Sequence, residues 1–331
     1  SLVYEVFTAV SDEARAKNVY YASKGSYERY QGLTMWTPNV NIYRDPRWGR
    51  GIETYGEDPY LTTCMGVNVV KGLQGVNDGK YDKLHACAKH FAVHSGPEWN
   101  RHSFDVEDLP LRDLYETYLP AFKALVQDAD VKEVMCAYNR FEGEPCCGNK
   151  RLLTQILREE WGFDGMVVSD WAAVHDRIAA VKGGCALTMP GDSLHDHVIV
   201  DAVKSGALEE RLLDEACEQI VALSLKAQAN RKKTSYDMEE GHRLAVELAK
   251  ESLVLLKNEG DLLPLDADKK VLVVGAFAEK ARYQGAGSSH VNAYKVPTLQ
   301  EVVGNCPNVS FVEGFGMEDS YDEKKAQEAV N

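Results

Sequence analysis

Gly162-Phe163-Asp164-Gly165-Met166-Val167-Val168-Ser169-Asp170-Trp171 holds a short apolar run that stops abruptly on a carboxylate. Met166-Val167-Val168 reads as a buried strand, because it is brief, apolar and opened by glycine. Just upstream, residues 149–161 place Leu152, Leu153, Ile156 and Leu157 at helical spacing, a stripe suited to packing on a sheet. A helix, a turn, a strand and a polar strand end thus follow one another here, and the same order recurs along the chain.

Between residues 33 and 189 the strand candidates are 33–36, 84–88, 131–137, 166–169 and 186–189. Amphipathic helices fill the intervals, the clearest through Leu111, Leu114, Tyr115, Tyr118, Leu119, Phe122, Leu125 and Val126, where Pro120 predicts a kink. Such alternation implies a parallel sheet with helical crossovers. The strand ends carry Asn39 and Asn41, then a loop with Arg44, Asp45, Arg47 and Arg50; Lys89 and His90; Tyr138 and Asn139; Asp170 and Trp171. Polar groups gathered at the C-terminal ends of parallel strands mark the catalytic face of a (β/α)₈ barrel.

The expected fold class is α/β: an incomplete (β/α)₈ TIM-type barrel over residues 1–230, a linker at 231–243, and the beginning of a C-terminal α/β sandwich domain over 244–331. Arg231, Lys232 and Lys233 make the boundary polar. Beyond it, Leu244, Leu248 and Leu255 predict a helix ending near Gly260 and Pro264. Buried strands are expected at 270–275 and 309–314, with a crossover helix at 297–305. At the start, Val6, Val10, Ala14 and Ala16 form a helical pattern without a preceding strand. The expectation is a piece of a longer protein whose first barrel strands precede Ser1.

The 331 residues are 44% hydrophobic and carry a formal net charge of -14, which argues against a nucleic-acid partner. No run approaches the roughly 18 apolar residues of a membrane helix, so a soluble chain with no membrane partner is expected. The eight cysteines form no Cys-x-x-Cys pair, so no structural zinc is expected. Cys87, Cys136 and Cys185 lie in strand-like runs and read as small core residues. Cysteine density leans toward a reducing compartment, leaving cytoplasmic and periplasmic or secreted locations both open.

Several separate motifs resemble glycoside hydrolase family 3, of the β-glucosidase and β-xylosidase type, in the right order over nearly the whole chain. They are Asn41-Ile42-Tyr43-Arg44-Asp45-Pro46-Arg47-Trp48-Gly49-Arg50, Glu53-Thr54-Tyr55-Gly56-Glu57-Asp58-Pro59, Lys89-His90-Phe91, Met135-Cys136-Ala137-Tyr138-Asn139, Trp161-Gly162-Phe163-Asp164-Gly165, and Val168-Ser169-Asp170-Trp171. Glu251 through Asn258 resembles the family's link into its second domain. The resemblance implies a retaining double displacement without cofactor or metal, acting on terminal β-linked sugars of oligosaccharides or aryl and alkyl β-glycosides. It places the nucleophile at Asp170 and sugar contacts at Arg50, Lys89, His90, Met135 and Tyr138; Trp171 can stack on a sugar ring. Cations such as Arg50 or Lys89 would hold a nucleophilic carboxylate ionised.

The resemblance also implies an acid/base glutamate beyond Asn331 and an outer-hydroxyl aspartate before Ser1, so this piece alone is expected to have little activity. Thr188 stands where the family commonly has an acidic residue. Residues 39–147 look closer to β-xylosidases and 170–289 closer to β-glucosidases, with a lean toward glucosides; oligomeric state is left open. Other readings are a non-catalytic carbohydrate-binding relic, a barrel lyase with Lys89 as Schiff base, and structural roles: Asp170 as a helix N-cap, the cations in ion-pair networks. His85, His90, His94 and His102 suggest metal ligands less well, since His85 and His90 should point to opposite strand faces. The loop Tyr283-Gln284-Gly285-Ala286-Gly287-Ser288-Ser289 lacks dinucleotide-binding spacing.

Overall fold

A computed structural model describes residues 1–75, 83–229, 234–285, 287–318 and 320–330. It divides into two units, Ser1–Asp237 and Met238–Asn331. The expected linker falls partly on residues 231–233, outside the described residues; its remainder runs into the helix Met238–Glu251.

The first unit is built on four parallel strands, β1 (Thr34–Met35), β2 (His85–Phe91), β3 (Glu133–Cys136) and β4 (Met166–Ser169), hydrogen-bonded in that order. Residues 186–189 add a fifth segment through a parallel bridge between Val168 and Leu187, and Ser169 N–H donates to Leu187 O at 2.9 Å. The segments follow sequence order, as in the expected barrel, and form an arc among the described residues. Side chains alternate between its faces. Ala86, Ala88, Val134, Cys136 and Val167 face the helices, whereas Cys87, Met135, Met166 and Val168 share a separate cluster with Trp36 and Leu187. The second cluster is the inner face of the arc.

The helix Pro59–Gln74 starts on Asp58, whose carboxylate accepts from Tyr60 and Leu61 N–H, with proline at the first position. It buries Val69, Val70 and Leu73. The stripe Leu152, Leu153, Ile156 and Leu157 is buried as expected, on the π-wound helix Arg151–Glu160. Gly165 is required where β4 begins: a Cβ there would lie 2.3 Å from Lys132 O and 2.7 Å from the Phe163 ring.

Three expectations need correction. Pro120 does not kink a continuous helix; it opens a new one, Pro120–Gln127, after a π-wound turn at Leu114–Tyr118. Proline lacks the N–H an interior position needs but fits a first turn. The first helix, Leu2–Ser23, buries Ser11 and Arg15 and packs through Val3, Phe7 and Ala14, leaving Val10 exposed. In the second unit, Leu255 lies beyond the helix end at Glu251 and is exposed.

The second unit pairs strands Val271–Val274 and Val309–Val312 in parallel, with the helix Leu299–Val303 between them in sequence. The expected burial of the first strand is only half realised: Leu272 and Val274 are exposed, because a two-stranded sheet has one face to cover and little to cover the other with. The glycine-rich loop includes position 286, outside the described residues. No helix among the described residues is long and apolar enough to cross a membrane.

Candidate active site

Met166, Val168 and Asp170 alternate along the inner face, so Asp170 emerges at the C-terminal rim of β4, 7% exposed. Its Oδ1 accepts from Trp171 N–H at 2.7 Å. Its Oδ2 is buried without a hydrogen-bond partner, 3.5 Å from His90 Nε2 and 4.0 Å from Arg50 Nη1. Tyr138 approaches the carboxylate without completing a hydrogen bond, and Lys89 acts on it electrostatically. Burial raises the Asp170 pKa above its ordinary value, and the Trp171 N–H, Arg50, Tyr138 and Lys89 together do not cancel that rise. Arg50 and Lys89 do act in the expected direction, toward the ionised carboxylate, but desolvation outweighs them.

Arg50 and Lys89 face opposite demands. Arg50 grips Glu53 bidentately at 2.8 and 2.7 Å, and Glu53 is consequently held below its usual pKa. Lys89 continues the inner face of β2 above Cys87, and burial with the neighbouring Arg50 charge lowers its pKa. The pairing of β2 with β3 is irregular between Ala88 and Phe91. Such irregularities re-aim side chains, and here His90 turns toward Asp170.

The state of His90 follows from its partner. Asn41 Oδ1 accepts from His90 backbone N–H at 2.8 Å, and Asn41 Nδ2 donates to His90 O at 2.8 Å. With Asn41 Oδ1 thereby fixed as an acceptor, His90 Nδ1, 2.9 Å away, must donate to it. Burial, together with the nearby His94, Arg50 and Lys89, drives the His90 pKa well down, so the ring is neutral. Its Nε2 is then a bare acceptor facing another acceptor, Asp170 Oδ2. The same logic holds His94: Asn139 Nδ2 donates to Ala92 O and Arg140 O, its Oδ1 meets His94 Nδ1 at 3.2 Å, and burial takes His94 down to about 3.

Of the residues singled out in the sequence, Arg50, Lys89, His90 and Tyr138 thus surround Asp170. Met135 pairs in register with Val168 and lies 1% exposed one layer below the carboxylate. Trp171 stands on the rim, 6.4 Å from Trp36 between ring centroids, with the Arg29 guanidinium 5.1 Å over its ring. Arg47 turns away to pair with Asp45 at 2.7 Å. In the sequence Asn41 stood out only as a strand-end amide, Glu53 only as part of a motif and His94 only as a poorly supported metal ligand. The signal for Asn41 was the period of two in Asn39-Val40-Asn41, which puts both amides on one strand face. His90 and His94 rings meet edge to face at 5.1 Å. Among the described residues no group of three or more His, Cys, Asp or Glu could hold a metal ion. A cavity of about 690 Å³ lies nearby in the loop layer between Arg44, Asp45, Phe104 and Tyr118, and its walls do not include Arg50, His90 or Asp170.

Comparison with known proteins identifies the family of the chain. Residues 29–223 match the glycosyl hydrolase family 3 N terminal domain, and residues 253–331 match its C-terminal domain. The chain is 43% identical over 84% of its length to a xylan 1,4-beta-xylosidase of Xylanibacter ruminicola, and covers 35% of that protein. It is 39% identical over 99% of its length to thermostable beta-glucosidase B of Acetivibrio thermocellus, covering 42% of it. The crystal structure of a Bifidobacterium adolescentis GH3 beta-glucosidase superposes with a TM-score of 0.85 at 34% identity, over 99% of this chain and 46% of that one. The chain therefore spans less than half the length of each of these relatives. On these matches and on the strand-end motifs, the chain belongs to glycosyl hydrolase family 3.

Proposed function

We propose that the protein hydrolyses terminal β-linked sugars with retention, Asp170 serving as nucleophile. The observation that carries this reading is the unpartnered Asp170 Oδ2, buried at a barrel rim and flanked by Arg50, Lys89, His90 and Tyr138. Asp170 Oδ2 would attack the anomeric carbon as the bond to the leaving oxygen breaks, and water would then release the sugar from the aspartyl ester. Two facing acceptors, Asp170 Oδ2 and His90 Nε2, suit a ligand rich in O–H donors, while Lys89 and Tyr138 can donate to sugar oxygens. Met135 floors the site and Trp171 walls its mouth.

Glu53 is unsuited to be the proton donor, since Arg50 holds it ionised; the family resemblance assigns that role to a glutamate of the second domain beyond Asn331. For the substrate we favour a β-glucoside over a β-xyloside, a difference of one hydroxymethyl group worth about 1–3 kcal/mol in an apolar pocket. Asp170→Asn in the protein expressed from its complete gene should lower kcat on an aryl β-glycoside by about 10³-fold or more. Hydrolysis retained within tenfold contradicts the assignment.

One observation favours a second reading. Lys89 stands near the end of β2 on the inner face beside Asp170, and burial with the Arg50 charge lowers its pKa, as a Schiff-base lyase would need. Borohydride trapping with a carbonyl substrate would label Lys89 in that case, and an unlabelled protein eliminates it.

A further inference from the structure

Trp171 follows Asp170 directly, is anchored to it through the 2.7 Å bond to Oδ1, and is 39% exposed. On the glycosidase reading, it flanks the space that the group leaving the anomeric carbon would cross. Trp36 tilts at 59° to it, so the two indoles offer a ridge of apolar surface that suits a planar ring. Above Trp171 lies the guanidinium of Arg29, which has no carboxylate partner among the described residues. Arg47, Arg101, Arg112, Arg151 and Arg177, by contrast, each hold an acidic side chain. A guanidinium stacked on an indole keeps its N–H edge free, and that edge matches a carboxylate in two parallel hydrogen bonds.

We infer that Arg29, laid on Trp171, selects leaving groups that combine an aromatic ring with a carboxylate, so that phenolic-acid β-glycosides are preferred substrates. The inference rests on the glycosidase reading above and extends it to the aglycone. Cation–π stacking holds the guanidinium in place at the rim, and the ring would lie along Trp36 and Trp171 while its carboxylate meets Arg29.

The test compares 4-carboxyphenyl with 4-carbamoylphenyl β-D-glucoside, equal in size and different in charge, on the protein expressed from its complete gene. The quantity read is the ratio of the two kcat/KM values. Taken on one preparation, this ratio is independent of the fraction folded, and the intrinsic difference between the leaving groups cancels between variants. Arg29→Gln should lower the ratio by about three- to tenfold, the size of a partly exposed charge-assisted pair, and Arg29→Lys should fall between the two. Hydrolysis of both substrates with the same ratio in wild type and Arg29→Gln overturns this inference alone. Hydrolysis of neither by the wild type overturns the glycosidase reading and this one with it.

Discussion

Replacing Asn41 by alanine tests how the site is wired. Asn41 makes three buried hydrogen bonds to one residue, accepting from His90 N–H and Nδ1 and donating to His90 O. At about 0.5–1.5 kcal/mol net apiece, their loss should destabilise the fold by roughly 2–4 kcal/mol. The larger consequence is chemical. Without the Oδ1 acceptor, nothing obliges the neutral ring to keep its proton on Nδ1. The Nε2–H form gains a partner at once, Asp170 Oδ2 at 3.5 Å, and the nucleophile becomes capped by a donor. Removal of the partner that orients a metal-bound histidine typically costs about 10–100-fold; the same scale for this clasp is about 1.4–2.7 kcal/mol in the barrier. Asn41→Ala should therefore lower kcat/KM for a 4-nitrophenyl β-glycoside by that factor at a temperature where urea titration shows the variant fully folded. Asn41→Asp keeps both acceptor contacts but adds a charge that favours the imidazolium, so its activity should be poor at low pH and recover as pH rises through the raised His90 pKa. Wild-type kcat/KM, within about twofold, in folded Asn41→Ala would refute the tautomer argument.

Further predictions concern the shell and the core. Glu133 is fully buried on the inner face with one hydrogen bond, from Thr34, and burial raises its pKa from 4.5 to about 8. The folded state keeps this proton up to about pH 8 while the unfolded state loses it near 4.5, so stability is highest below 4.5 and falls as pH rises to about 8. The gap between the two values sets an upper limit of about 5 kcal/mol, and Glu133→Gln should flatten this slope in urea titrations at about pH 5 and about pH 8.5. Arg50→Lys keeps the charge but loses the fork on Glu53, and kcat/KM should drop by about 10²–10³-fold; a change under threefold would make Arg50 structural. Phe122→Ala removes a ring 1% exposed and 5.1 Å from Phe91, which should cost about 3–5 kcal/mol in denaturant unfolding.

The parallel arc was legible because each strand is a compact apolar run ending on polar residues, and Asp170 stood out because the apolar run Met166-Val167-Val168 stops abruptly at its carboxylate. Lys89, His90 and Tyr138 were legible for the same reason, at the ends of neighbouring strands. What hydrophobic periodicity missed are contacts between strand ends: the clasp of Asn41 on His90 spans 49 positions, and the Arg50–Glu53 fork needs a turn that no pattern announces. The net pKa of Asp170 was also out of reach, since it depends on how far burial outweighs the cations. Pro120 shows the limit of local rules: proline ends one helical segment, and whether the next restarts at it depends on the tertiary packing of Phe122 and Leu125.

The most direct measurement is trapping with a 2-deoxy-2-fluoro-β-glucoside bearing a good leaving group, followed by peptide mass mapping of the protein from its complete gene. Stoichiometric labelling of the Asp170 side chain with loss of activity is expected. A label on another carboxylate, or full turnover of the substrate with Asp170 unmodified at every time point, contradicts it.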